Sequence, residues 1–210
     1  MGVASGPRGG TVNVIAIGKN TDIFMKRVFD FMFSFVVLLF FIMPMLLVAL
    51  LVKCSSPGPI LYWSDRVGKN NAIFKMPKFR TMRTDTPAIA THLLSDPDRY
   101  LTSIGKFLRK SSLDELPQLW SIVRGDMSFV GPRPALYNQQ DLIQLRTEKG
   151  IHILKPGLTG WAQINGRDEL PIPVKVQYDE YYLRHRSFLL DLEIMLMTFF
   201  KVLRSDGVQH

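Results

Sequence analysis

Two carboxylates stand side by side in the run SSLDELPQL: Asp114 and Glu115 follow Ser111 and Ser112 and precede Pro117. Three cations lie just upstream, Lys106, Arg109 and Lys110. Adjacent carboxylates beside cations suit phosphate chemistry, because a carboxylate can hold Mg²⁺ or attack phosphorus as a nucleophile. The same residues also fit a plainer role. An Asp just ahead of a Pro can start a helix as its cap, with Glu in the first turn favoured by the helix dipole. Arg133 is held between two prolines in GDMSFVGPRPAL. A guanidinium on so rigid a backbone suits bidentate phosphate recognition, against the alternative of a solvated turn residue. In KMPKFRTM the cations are Lys75, Lys78 and Arg80, and strand alternation puts Lys78 and Arg80 on one face. They could meet a phosphate or anionic lipid headgroups. In KPGLTGWAQINGR the glycines permit close backbone approach, and Trp161, Gln163, Asn165 and Arg167 offer stacking and hydrogen bonds to a base or sugar. Neither GxGxxG nor GxxxxGK[ST] occurs, and His92, His152, His185 and His210 follow no zinc or triad spacing.

The elements that must position these groups begin with one apolar segment. Among 210 residues, 26 Lys+Arg face 18 Asp+Glu, for a net charge of +8, and 47% are hydrophobic. That apolar content excludes disorder, and the single Cys54 excludes a disulfide scaffold. The surplus charge is concentrated. Residues 53–110 hold eleven basic and four acidic residues, whereas 111–210 hold eleven and twelve. A broad basic face is therefore absent, and nucleic acid is not expected as a partner. Immediately before the basic region lies Phe31 to Val52, 22 residues without a charge. As helix it would reach roughly 33 Å, about the thickness of a bilayer's hydrocarbon core. Pro44 sits at its middle, where a kink or break is expected. Both flanks are basic, with Lys26 and Arg27 before it and Lys53, Arg66 and Lys69 after it. Positive flanks stay cytoplasmic, and neither side prevails here. The residues alone leave two readings, a straight span or a helix that turns at Pro44 and leaves by the face it entered.

Residues 1–22 read as a flexible leader or the remnant of an added or truncated segment, with TVNVIAI a candidate short strand. Arg27 and Asp30 can pair at i, i+3. Beyond the break CSSPGP, ILYWSDR and AIFKMPKFRTM predict two strands around GKNN. Residues 84–98 read as a loop, 101–128 as helix, connector and helix, and 135–149, 174–186 and 187–204 as further helices. The last is apolar nearly all round, which fits a core helix or one lying on a lipid surface.

One likeness ties these pieces together. The run GKFLRKSSLDELPQLWSIVRGDMSFVGPRP resembles the bacterial sugar transferases, the monotopic phosphoglycosyl transferases. KRVFD, DRVG, FKMPKFRTM, KPGLTGWAQINGR and YDEYYLRHRSFLLDLEI support it, from about Lys26 to Val208. The resemblance implies an α+β, predominantly helical fold with a re-entrant helix-break-helix at 23–53, a small β-hairpin and surface amphipathic helices. Residues 54–208 would form a cytoplasmic catalytic domain on the bacterial inner membrane. It implies transfer of a sugar-1-phosphate from a UDP-sugar to a polyprenol phosphate with release of UMP, at the start of surface glycan assembly. Asp114 corresponds to the nucleophile that forms a phosphosugar-enzyme intermediate, Glu115 to the supporting carboxylate, and Arg80, Arg109 and Arg133 to the basic site residues. Mg²⁺ is expected at Asp114, and anionic phospholipid, a second copy or downstream glycosyltransferases as further partners. Two departures stand out. Met43-Pro44 replaces a Ser-Pro at the membrane break, and Ser64 stands where Gln is frequent. The competing reading is a non-catalytic basic scaffold at the membrane surface.

Overall fold

The computed structural model describes residues 10–86, 96–166 and 170–204. Arg167 and positions 87–95 of the 84–98 loop lie outside them. A single helix, α1 (Gly10–Ser55), opens the chain and contains Pro44. The strand considered for TVNVIAI is therefore corrected to helix. At Pro44, where a kink or break is expected, the residues stay helical on both sides, so any change of direction there is a bend within continuous helix. A proline removes one donor and crowds one turn, and neighbouring helical hydrogen bonds can carry the chain across it. Within α1, Phe24–Ser55 is long and apolar enough to cross a membrane by length and composition.

Both ends of that apolar stretch are fastened to the rest of the protein. Near its start, Arg27 donates to the carbonyls of Ile122 (2.7 Å) and Val123 (2.9 Å), at the C-terminal end of α3 (Gln118–Arg124). The Ile122 carbonyl also takes the Gly125 N–H that closes α3, and a cation at this end meets the negative end of the helix dipole. Lys26 donates to the Val130 carbonyl and pairs with Asp191, while Asp30 accepts the Phe129 N–H at 3.2 Å. The Arg27–Asp30 pair expected from spacing is thus replaced by separate long-range partners. Near its end, Val48 and Val52 pack with Phe79 and Leu108. Between these anchors Phe35, Leu39, Phe40, Met43, Leu46 and Leu47 are exposed.

Strands β1 (Leu61–Val67) and β2 (Ile73–Phe79) form the expected antiparallel hairpin. The turn places Asn70 and Asn71 at positive φ, which Asn tolerates better than most residues. The register pairs Tyr62 with Lys78, Ser64 with Met76 and Arg66 with Phe74. These six side chains share one face, because directly opposed residues point the same way. Helix α2 (Gly105–Lys110) and a 3₁₀ turn at Leu113–Glu115 lead into α3. Strand β3 (Ser128–Val130) then pairs in parallel with β4 (Gly157–Thr159), enclosing α4 (Gln140–Glu148) between them in sequence. Leu119, Ile122, Met127, Val130, Ile151 and Ile194 are central to the main core.

Helices α5 (Trp161–Ile164), α6 (Ile172–His185) and α7 (Phe188–Arg204) complete the chain. Both readings of α7 have a counterpart. Asp191 and Ile194 are buried, whereas Leu189, Leu196, Phe199 and Phe200 are exposed.

The β3–β4 pair depends on the absence of side chains. A Cβ on Gly157 would lie 2.2 Å from the Gly131 nitrogen and 2.3 Å from the Thr159 oxygen. Both are backbone atoms, one just after β3 and one in β4, and cannot swing aside. Gly157→Ala is expected to cost about 1–3 kcal/mol as overpacking, read as a lowered thermal midpoint.

Candidate active site

Asp114 and Glu115 sit on the 3₁₀ turn between α2 and α3. The turn is entered through Ser112 at φ 57, a left-handed conformation unusual for serine. No side-chain capping bond forms there or at the start of α3, whose first flanking residue is Pro117. The plain capping role for Asp114 is therefore not realised. Pro117 fixes φ without needing a donor, so α3 starts immediately after the two carboxylates.

The neighbours differ in environment. Asp114 is 8% exposed, and burial raises its pKa to about 6. Lys78 and Arg109 restrain that rise, and the Glu115 charge adds to it. For Glu115, burial acts in the same direction but Lys78 and Arg133 outweigh it, bringing the carboxyl down to about 2. Lys78 Nζ lies 2.6 Å from Glu115 Oε1, and an Arg133 guanidinium nitrogen lies 3.7 Å from the same oxygen. Two adjacent carboxylates thus have separated proton affinities. Glu115 is a fixed anion that gathers cations, while Asp114 changes charge near neutrality. Such separation is a mark of sites where carboxylates hold different duties.

The cations reach the pair from three elements. Lys78 comes from β2. Arg109 comes from α2, where its Nε donates to Thr81 Oγ1 at 3.0 Å. Burial lowers the Arg109 pKa, opposed by the Asp114 charge. Arg133 comes from the GPRP segment after β3. Its carbonyl accepts from Arg146 Nη1 at 2.8 Å, and Arg146 Nη2 is paired with buried Asp179 at 2.7 Å. The rigid Pro-Arg-Pro backbone is therefore braced from α4 and α6.

The remaining expected site residues sit elsewhere. Arg80 turns to the segment that follows α1, donating to the carbonyls of Pro57 (2.6 Å) and Ser56 (2.8 Å). Strand β2 ends at Phe79, so the shared face expected for Lys78 and Arg80 does not extend to Arg80. Lys75 meets Asp65 at an exposed position. Gln163 donates to the Leu158 carbonyl at 3.3 Å and Asn165 to the Trp161 carbonyl at 2.8 Å, so both bond within the β4–α5 segment.

Two residues join the cluster that the sequence did not single out for it. Arg66 lies on the Lys78 face of the hairpin, donates from Nη1 to the Pro134 carbonyl at 3.2 Å, and contributes to the lowered Glu115 pKa. Its parity with Lys78 across the GKNN turn is the available signal, but its place after the apolar segment puts it among the basic flanks. Buried Ser64 receives the Arg66 Nε at 3.0 Å. Gln118 is the second. It lines, with Arg66, Met76, Lys78, Glu115, Arg133, Pro134 and Gly157, a small cleft beside the carboxylates.

Comparison with known proteins identifies the family of the chain. The model of the family described as bacterial sugar transferase matches residues 21–205. The chain belongs to that family. A Bacillus subtilis relative named as the uncharacterized sugar transferase EpsL is 41% identical over 188 residues, covering 89% of this chain and 91% of that one. The UDP-glucose:undecaprenyl-phosphate glucose-1-phosphate transferase of Escherichia coli is 37% identical over 185 residues, covering 84% of this chain and 40% of its own length. The UDP-N-acetylgalactosamine-undecaprenyl-phosphate N-acetylgalactosaminephosphotransferase of Aeromonas hydrophila is 34% identical, with 89% and 45% covered. The chain therefore spans most of the first relative and under half of the other two. All three matches cover most of the bacterial sugar transferase region that carries Asp114, Glu115 and the GPRP segment.

Proposed function

We propose that the protein transfers a sugar-1-phosphate from a UDP-sugar to a polyprenol phosphate, releasing UMP, with Asp114 as the nucleophile. The observation that carries this reading is the buried Asp114, close enough to Lys78 and Arg109 for their charges to lower its pKa, beside a Glu115 paired with Lys78 and Arg133. The relatives' names, which join UDP-sugars to undecaprenyl phosphate, supply the substrates. In the first step an Asp114 oxygen attacks the β-phosphorus. The bond from that phosphorus to the bridging oxygen breaks, and UMP leaves with the electron pair. In the second step a phosphate oxygen of the polyprenol phosphate attacks the same phosphorus, and the Asp114 carboxylate departs unchanged. Each step needs cations around the phosphates, which Lys78, Arg109 and Arg133 provide. Division into two steps lets a soluble and a lipid substrate use one site in turn.

The donor set also suits Mg²⁺ of the kind completed by substrate. Asp114 is a carboxylate whose charge nearby cations only partly offset, and among the described residues no group of three or more acidic, His or Cys side chains forms an all-protein cage. Mg²⁺ is commonly held by one or two carboxylates plus substrate phosphates. Asp114 would hold it, and the ion would neutralise charge on the diphosphate.

A monotopic, re-entrant seating of α1 is part of the proposal. Its support is the attachment of both ends. Arg27 and Asp30 before the exposed apolar stretch, and Val52 after it, all contact the elements that carry the site. A helix crossing the bilayer would carry one end away from them. Cysteines placed at residues 24 and 56 are expected to react with a membrane-impermeant thiol reagent from the same side. Labelling from opposite sides would overturn the seating.

The activity itself is tested by UMP release from a panel of UDP-sugars with purified protein, polyprenol phosphate and Mg²⁺. UMP release that requires the polyprenol phosphate for sustained turnover is expected. Release with none of the sugars, together with vesicle binding indifferent to Asp114, would favour the scaffold reading.

The pH dependence has a definite sign. Asp114 must be ionised to attack, so kcat/KM is expected to rise through about pH 6 with the slope of one proton. Lys78 restrains the Asp114 pKa, so Lys78→Met should move that limb to higher pH as well as lower the plateau. Glu115, brought down to about 2, stays charged throughout.

A further inference from the structure

We infer that Gln118 is a substrate-binding residue whose side-chain N–H donates to an oxygen of the diphosphate. The inference rests on the donor substrate proposed above and adds a recognition group to it. Gln118 opens α3 three residues beyond Glu115, a spacing that puts both on one helical face. It is only 3% exposed and lines the cleft shared with Lys78, Arg66, Arg133 and Glu115. Its Nε2 is buried with no hydrogen-bond partner among the described residues.

A buried amide left unsatisfied is costly, and native proteins retain few of them. An apolar side chain of similar volume would fill the position without that cost. The other polar groups around the cleft show what it is built to receive. Lys78 and Arg133 meet at Glu115, and Arg66 reaches the Pro134 carbonyl behind it. Three cations converge on one carboxylate, and a neutral donor completes their rim. A ligand rich in acceptor oxygens and carrying negative charge satisfies all four. Phosphate oxygens of the diphosphate, presented to Asp114 for in-line attack, have that chemistry. The donor contacts a group present before and during the reaction, so its contribution should appear in binding more than in the chemical step.

The test compares wild type with Gln118→Met, which keeps volume and removes the amide, and Gln118→Glu, which keeps shape and replaces the donor by an acceptor. UDP binding is measured by calorimetry, and steady-state kinetics use whichever UDP-sugar the wild type accepts. Gln118→Met is expected to raise the KM for the UDP-sugar and the Kd for UDP together by about tenfold, with kcat within about threefold of wild type. Its thermal midpoint should be equal to or above that of wild type, because an unsatisfied buried donor is gone. Gln118→Glu should weaken UDP at least as much. A purely structural glutamine would leave UDP affinity unchanged in both variants, and that result overturns the inference. Weakened UDP-sugar binding with unaltered UDP binding overturns the diphosphate assignment. A wild type that releases no UMP from any UDP-sugar instead removes the activity reading, a separate outcome from unchanged UDP affinity in the variants.

Discussion

Asp114→Asn is expected to abolish turnover while making the protein more stable. Loss of a nucleophile that acts with its supporting groups as a unit should cost roughly 10⁴-fold or more in kcat. The amide keeps the shape of the carboxylate but cannot form the bond to phosphorus. The stability effect follows from the raised pKa, about 6 in the folded protein against 3.8 for the free carboxyl. A raised carboxyl pKa means that the folded state holds the proton more tightly than the unfolded state. Its stabilising contribution is complete below pH 3.8 and is lost as pH rises through 6. Above that, ionised Asp114 destabilises the fold by about 2–3 kcal/mol, at 1.36 kcal/mol for each pH unit. Asparagine carries no such charge. At pH 7.5 the variant should therefore melt about 5–10 °C higher than wild type, and the gap should narrow as pH falls below 6 and close near pH 4. Equal melting at pH 7.5 would remove the claim that Asp114 is held ionised against its surroundings.

The second large effect is expected away from the carboxylates. Asp179 and Arg146 are both buried, and Arg146 also donates to the Arg133 carbonyl. Asp179→Ala strands a guanidinium in the core, for which the expected cost is about 3–5 kcal/mol. The same change frees the brace on Arg133, so kcat/KM should fall by roughly tenfold even where the variant stays folded. The double variant Arg146→Met with Asp179→Leu should be more stable than Asp179→Ala alone, because no unpaired charge remains. It should still have reduced activity, since nothing then holds the Arg133 carbonyl. Thermal denaturation separates the two contributions from kinetics. A double variant with full activity would show that the GPRP segment needs no brace.

The hairpin was legible because its alternation and the turn residues GKNN specify it locally. The Asp114–Glu115 pair was legible because two carboxylates next to cations are uncommon and because the surrounding run carries a family likeness. What gathers around them was less so. Lys78 meets Glu115 across 37 positions of sequence, and no local period reports such a pairing. Arg66 was hidden by its position after the apolar segment, where it counts among the basic flanks.

The spacing of Arg27 and Asp30 permitted a local pair, but both side chains find backbone partners on other elements. Arg27 therefore caps α3, and Asp30 takes the Phe129 amide. Arg80 was counted with Lys78 by alternation, yet the strand ends between them. At Pro44 a kink or break is expected from the sequence, and the residues on both sides of it stay helical.

The central claim is that Asp114 carries the phosphosugar between the two substrates. It is tested most directly by the mass of the protein after incubation with an accepted UDP-sugar and Mg²⁺, with no polyprenol phosphate added. A gain equal to one sugar-1-phosphate residue is expected, located on the peptide containing Asp114, accompanied by about one equivalent of UMP and removed on addition of polyprenol phosphate. An unmodified protein that nevertheless turns over when both substrates are present, or an adduct that persists in Asp114→Asn, would contradict it.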